Sequence, residues 1–158
     1  MSRRTRIGII VYSQTGNTRQ VTDRLAACLE TAGHVVEILP ITVRGDTQSG
    51  VFELIDPPVP EGYDGYIFAG QVQAFALSRV MKRYMTGLSG SVAGPVAIVV
   101  TEHFPRPWMG GNRAVKAIAR ELERVDADVR GSMIVHWSRN DRDQQITEGI
   151  ERLAGIFS

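Results

Sequence analysis

A single cysteine, Cys28, stands in the 158 residues, so neither an intrachain disulfide nor a cysteine metal cluster can form within one chain. It falls on the apolar side of a helix described below, where it reads as a small buried hydrophobe rather than a reactive thiol. Excess charge is also lacking: 18 Lys and Arg against 17 Asp and Glu leave a net charge of +1. The basic residues are interleaved with acids along the chain, which argues against nucleic-acid binding. No apolar stretch reaches the length of a membrane helix. The basic start, Met1-Ser2-Arg3-Arg4-Thr5-Arg6, leads into an apolar run too short for a signal peptide, so the expectation is a cytoplasmic protein. Besides His103, the histidines His34 and His136 are too scattered to suggest a metal site, and none is expected. With 43% hydrophobic and 22% charged residues, the chain suits one domain, residues 1–158, with a sizeable core.

What is present begins with the apolar run Arg6 to Tyr12, followed at once by Ser13-Gln14-Thr15-Gly16-Asn17-Thr18. Val21, Leu25, Cys28, Leu29 and Ala32 then recur at helical spacing. A buried strand, a hydroxyl-rich turn and a helix whose first amides face that turn together make an anion site. Ser13, Thr15 and Thr18 offer hydroxyl donors, Gly16 permits close backbone approach, and the free helix amides add a favourable dipole. The alternative reading of such a turn is a plain helix cap. The loop has no lysine, which a triphosphate loop of the form GxxxxGK[ST] requires, and only one of the three glycines of a dinucleotide fingerprint. A terminal phosphate monoester, bound without metal, is the ligand that remains.

Further along, residues 34–39, 63–70, 95–101 and 132–137 read as strands, four of the five strands carrying runs suited to burial on both faces. Three amphipathic helical stripes alternate with them: Val80 to Leu88, Val115 to Val125 and Ile146 to Phe157. The alternation predicts an α/β doubly wound five-stranded parallel sheet in a three-layer sandwich, strand order 2-1-3-4-5, with the ligand beyond the strands' carboxyl ends at the switch point. Between Ile41 and Gly62, Gly45, Gly50 and Pro57-Pro58-Val59-Pro60 predict a short or missing second helix and irregular chain.

The S-x-T-G-x-T pattern of Ser13 to Thr18 resembles the phosphate loop of the flavodoxins, and length, element order and loop placement extend the resemblance along the chain. It implies a flavodoxin-like fold of the short-chain form with flavin mononucleotide (FMN) as cofactor, cycling by one and two electrons. Gly70, Ser78, Met81 and Lys82 also match the flavodoxin-like quinone reductases. There the loop departs in being shorter and in having Ala74 before Phe75 instead of an Arg-Phe pair.

Under that resemblance the flavin ring reaches the loops after the third and fourth strands. In the first, Gln71 and Gln73 and the backbone up to Ala74 suit the polar ring edge, while Val72 or Phe75 covers a face. In the second, Glu102 to Arg113, two prolines stiffen the chain, Gly110-Gly111 permits a tight turn, and Asn112 caps the next helix. Trp108 either stacks on the ring or packs the loop onto its own domain. His103 reads first as a loop residue and second as a partner of the ring edge or a proton-transfer group, and Arg106 or Arg113 would attract an anionic partner. No catalytic residue is assigned. The leading expectation is an electron carrier serving a redox partner protein or small electron acceptor, with oligomeric state left open. An FMN-dependent NAD(P)H/quinone oxidoreductase and a flavin-free interaction module of the same fold are the alternatives. Because acidic carriers penalise added electrons and this chain is near neutral, its potential is expected to be less negative than theirs.

Overall fold

The computed structural model describes residues 4–158; Met1 to Arg3, part of the basic start, lie outside the described residues. Five parallel strands form the sheet: β1 (Arg6–Val11), β2 (Val35–Pro40), β5 (Gly65–Gln73), β7 (Pro95–Glu102) and β8 (Asp128–His136). Their order is β2-β1-β5-β7-β8, which is the predicted 2-1-3-4-5 order. A two-residue strand, β6 (Ala76–Leu77), folds back antiparallel on the end of β5. The helices are α1 (Asn17–Thr31), α2 (Arg79–Thr86), α3 (Gly111–Arg124) and α4 (Arg142–Ala154).

The continuous apolar runs of the inner strands split by alternation between two layers. Ile7, Ile9 and Val11 of β1, Ile67 and Ala69 of β5, and Ala97 and Val99 of β7 bury against Val21, Leu25 and Leu29 of α1 and Ile146, Ile150 and Leu153 of α4. The intervening residues, Ile10, Tyr66, Phe68, Val96, Ile98 and Val100, pack against α2 and α3 on the other face. Cys28 is half-buried against the first of these layers, whereas Ala32 is exposed as the C-cap of α1.

Between β2 and β5 there is no helix. The expectation of irregular chain there is corrected by an antiparallel hairpin, β3 (Thr42–Asp46) and β4 (Val51–Ile55). Val43, Phe52 and Leu54 turn inward onto the α2 and α3 layer, so the hairpin covers sheet area that a second helix would otherwise cover. Arg83 of α2 holds it from the other side. Its guanidinium lies 3.8 Å from the centre of the Phe52 ring and donates to the carbonyl oxygens of Phe52 and Gly50. A second arginine, Arg124 at the end of α3, donates to the carbonyls of Leu88, Met85 and Thr86 at 2.7, 3.1 and 3.3 Å. It thereby satisfies the carbonyls left open at the end of α2 and locks the two helices together.

The entry into β7 passes so close to β5 that only glycine fits. Gly94 has φ +82°, and a Cβ there would stand 1.8 Å from the Asp64 carbonyl oxygen. Gly62 has a similar φ of +87° with nothing within 4 Å. Gly62→Ala is therefore expected to cost about 1 kcal/mol of backbone strain alone, and Gly94→Ala more than about 3 kcal/mol through strain and collision together. Urea unfolding of the two variants measures the difference.

Candidate functional site

The loop from Ser13 to Thr18 joins β1 to α1 at the switch point, since β1 pairs with β2 on one side and β5 on the other. Gly16, with φ +91°, turns the chain into the helix and has nothing within 4 Å of its Cβ direction. Ser13 Oγ accepts hydrogen bonds from the amides of Gly16 (3.1 Å) and Arg19 (3.3 Å), so its part is to shape the loop. Thr15 and Gln14 are exposed. The Thr18 hydroxyl is fully buried and lies 2.6 Å from the Thr101 hydroxyl of β7. Among the described residues no acceptor is found for the amides of Thr15, Asn17 and Thr18. The first turn of α1 contains no acid. These open donors and the positive end of the helix dipole are what an anion needs, and they exceed what a self-satisfied cap would leave.

Two glutamines of β5 tie the next loop to this one. Gln71, 7% exposed, accepts from the Gln14 amide at 3.2 Å, and the Gln73 side chain donates to that of Gln14. β5 runs on to Gln73, three residues past the expected strand end, and Val72–Leu77 and Gln73–Ala76 pair across a two-residue turn. Its central residues, Ala74 and Phe75, have φ +49° and +65°. A tight hairpin with both central φ values positive normally takes Asn-Gly, and each residue here carries strain on the order of 1 kcal/mol. Two contacts hold the turn in place. The Phe75 ring stacks on Phe104 with centroids 4.8 Å apart and planes 9° apart. Gly110, φ +130°, packs so closely that a Cβ would meet Val72 Cγ1 at 2.7 Å and the Phe75 backbone at 3.0 Å. The two loops are thus in direct contact, and Phe75 presents one face to Phe104 instead of standing alone.

In the second loop Trp108 lies in a single 3-10 turn, Pro107–Met109, and is 74% exposed, so it does not pack onto its own domain. His103 is exposed and meets Phe104 edge-on at 5.9 Å. Asn112 does not cap α3: the helix starts at Gly111 after Gly110, with no side-chain cap. What lies under that first turn is the buried carboxyl of Glu102, which faces the Gly111 amide while neither of its oxygens completes a hydrogen bond among the described residues. A Cβ on Gly111 would come within 2.9 Å of Glu102 Oε1.

Glu102 and His136 were not foreseen as a pair. The Glu102 side chain is fully buried, and His136 Nδ1 lies 2.7 Å from its Oε1 and 3.1 Å from the Phe104 carbonyl oxygen. Burial pushes the Glu102 carboxyl above its ordinary range, while the nearby His136 and the Gly111 amide pull it back in part. The pair braces the root of the second loop from β7 and β8. Thirty-odd residues of intervening chain hide it from any local motif.

No protein-family model matches the sequence, and no curated protein does either. Solved structures do. The flavodoxin of Streptococcus pneumoniae TIGR4 superposes with a TM-score of 0.67 at 18% identity over 96% of this chain and 97% of that one. The flavodoxin of Fusobacterium nucleatum bound to flavin mononucleotide gives 0.62 at 11% identity, over 98% and 99%. The NAD(P)H:quinone oxidoreductase of Methanothermobacter marburgensis gives 0.63 at 13%, over 97% and 95%. The described residues therefore have the flavodoxin-like fold, as the first loop had suggested.

A buried carboxyl that protonates more readily when folded favours the folded state at low pH, and this advantage is lost as pH rises from the ordinary value of 4.5 through the raised one. Glu102→Gln removes that dependence. Urea unfolding across the acid to neutral range is expected to show the variant gaining on the parent chain as pH rises; parallel curves would contradict the assignment.

Proposed function

We propose that the chain binds FMN and transfers electrons through it. The observation that carries this reading is the set of open amides at Thr15, Asn17 and Thr18 beside the exposed Thr15 hydroxyl, on a loop free of acid, lysine and metal ligands. These donors fit a phosphate monoester, and the fold neighbours include a flavodoxin described as bound to flavin mononucleotide. When bound, the flavin supplies the redox chemistry. The residues of the chain hold and orient it. The Ser13 hydroxyl keeps the loop open to the phosphate, and Gln71 and Gln73 fix Gln14 while lying next to the loops assigned to the ring edge. Val72, Ala74 and Phe75 with His103, Trp108 and Gly110 form the remaining wall. A carrier with a redox protein or small electron acceptor as partner agrees with the exposed Trp108.

A second reading, an FMN-dependent NAD(P)H/quinone oxidoreductase, is favoured by the fold neighbour of that name and by the Gly70, Ser78, Met81 and Lys82 pattern. NAD(P)H oxidation in the presence of a quinone separates them: fast turnover supports the enzyme, and none supports the carrier. In either case a potential less negative than that of an acidic carrier is expected from the near-neutral charge.

The visible spectrum of the purified protein and an FMN titration test the cofactor itself. Thr15→Ala is expected to weaken FMN binding by about 1–3 kcal/mol, a loss on the order of 5- to 100-fold, with little change in unfolding midpoint because the side chain is exposed. Trp108→Ala is likewise expected to leave stability unchanged and to reduce quenching of flavin fluorescence. Undiminished FMN affinity in Thr15→Ala would return the loop to a simple helix cap.

A further inference from the structure

Five basic side chains gather in one place on a chain whose net charge is only +1. Arg79 and Lys82 of α2 and Arg113, Lys116 and Arg120 of α3 line the groove where these two helices pack side by side. Among the described residues no acid lines it. All five side chains are exposed, and among the described residues none of them is held in an ion pair. Two acids stand close without neutralising the set. Glu121 adjoins Lys82 and Arg120 but is held by Arg124 at 3.1 Å. Asp46, at the hairpin tip, feels the charge of Arg79.

Arg113, Lys116 and Arg120 stand at i, i+3 and i+7 and share one face of α3, and Arg79 and Lys82 stand at i and i+3 on α2. Like charges at such spacings weaken a helix unless an opposite charge faces them, so the face suits an anionic partner. Its shape selects the kind. The cations stand in water along the rim of an open groove, whereas a small-molecule site encloses roughly 70–90% of its ligand's surface. The groove is also concave, so a convex protein surface can touch both helices where a flat bilayer cannot. Trp108, 74% exposed, lies in its wall, as does Ala74, the neighbour of the half-exposed Phe75. Exposed aromatic rings among arginines are the composition of the energetic centre of a protein interface. Gln73, Ala74 and Trp108 belong at the same time to the wall assigned above to the flavin, so a protein seated in the groove stands against that wall.

We propose that the α2–α3 face is the docking surface for a redox protein whose own contact surface is acidic. The partner's carboxylates face the five cations and form charge-assisted hydrogen bonds with them, which fixes its orientation, and Trp108 packs within the contact. This inference rests on the FMN reading above and names the partner of that same site. One electron leaves the partner's reduced centre, which is thereby oxidised, and enters the oxidised flavin held beside it; no covalent bond forms or breaks.

A plant-type ferredoxin, an acidic iron–sulfur protein, is the probe, and cytochrome c, a basic redox protein, is the control. Calorimetric titration of the chain without added FMN is expected to show saturable ferredoxin binding at low salt, weakened on the order of tenfold by about 0.3 M salt, and no saturable binding of cytochrome c. The double variant R113E/K116E is expected to lose about tenfold or more in ferredoxin affinity with unchanged melting temperature and unchanged FMN affinity. Should it fold poorly, Arg79→Gln with Lys82→Gln on the opposite wall is expected to act in the same direction. Arg130→Gln, on the far edge strand β8 where Arg130 is paired with Asp128, is expected to change nothing. In stopped-flow mixing of reduced ferredoxin with the FMN-loaded protein, the rate of flavin reduction is expected to fall in the groove variants, while neutral benzoquinone oxidises the reduced protein at an unchanged rate. The proposal is overturned by absence of saturable ferredoxin binding, by binding that both double variants leave intact, by an equal loss in Arg130→Gln, or by tighter binding of cytochrome c. Binding of phosphatidylglycerol vesicles that R113E/K116E abolishes, with ferredoxin unbound, would overturn it in favour of a membrane surface. If ferredoxin binds and FMN does not, the flavin reading falls and electron transfer with it, while the docking face for an acidic protein stands.

Discussion

A hydroxyl pair sealed from solvent, Thr18 in the first turn of α1 and Thr101 near the end of β7, sets the spacing on which the site depends. It reaches across from the phosphate loop to the strand that feeds the second loop. A buried hydroxyl without a partner is costly, so each threonine holds the other's element at one distance and one rotation. The backbone amides of α1 therefore stand at a fixed offset from the loops beyond β5 and β7. The glutamines at positions 71 and 73 repeat this coupling nearer the surface through Gln14. Three loops from three strands are thereby held as one unit by side-chain bonds that need no ligand to form.

How much of this could be read from the sequence follows from how local each feature is. The strand, loop and helix around Ser13 to Thr18 are contiguous, and their periodicity and hydroxyl content sit in one stretch of chain. The sheet order followed from the regular alternation of apolar strands with amphipathic helices. The β3–β4 hairpin was missed because Gly45 and Gly50 read as breakers of a helix, while only Val43, Phe52 and Leu54 carry its inward face. Glu102 and His136 meet only because β7 and β8 are neighbours in register, a fact that no spacing along the chain announces. Arg79 and Lys82 of α2 and Arg113, Lys116 and Arg120 of α3 likewise line one groove from two helices, with Glu121 beside Lys82 and Arg120 at the adjoining concavity.

The turn at Ala74 and Phe75 shows a local rule overruled by tertiary contact. Neither residue favours positive φ, and the antiparallel return to β6 demands it of both. The Phe75–Phe104 stack and the close approach of Gly110 oppose that strain. Strain and restraint thus lie within the same wall, and a change at Phe104 or Gly110 would be transmitted to the backbone of the first loop without passing through the sheet.

The groove between α2 and α3 also makes the molecule electrically lopsided. With a net charge of only +1, five positive side chains gathered on one side leave the rest of the chain with more acids than bases. A nearly neutral protein built this way behaves as a dipole. It would turn this basic side toward a cation exchanger, and in solution it would meet an anionic object already oriented, over distances of about one Debye length.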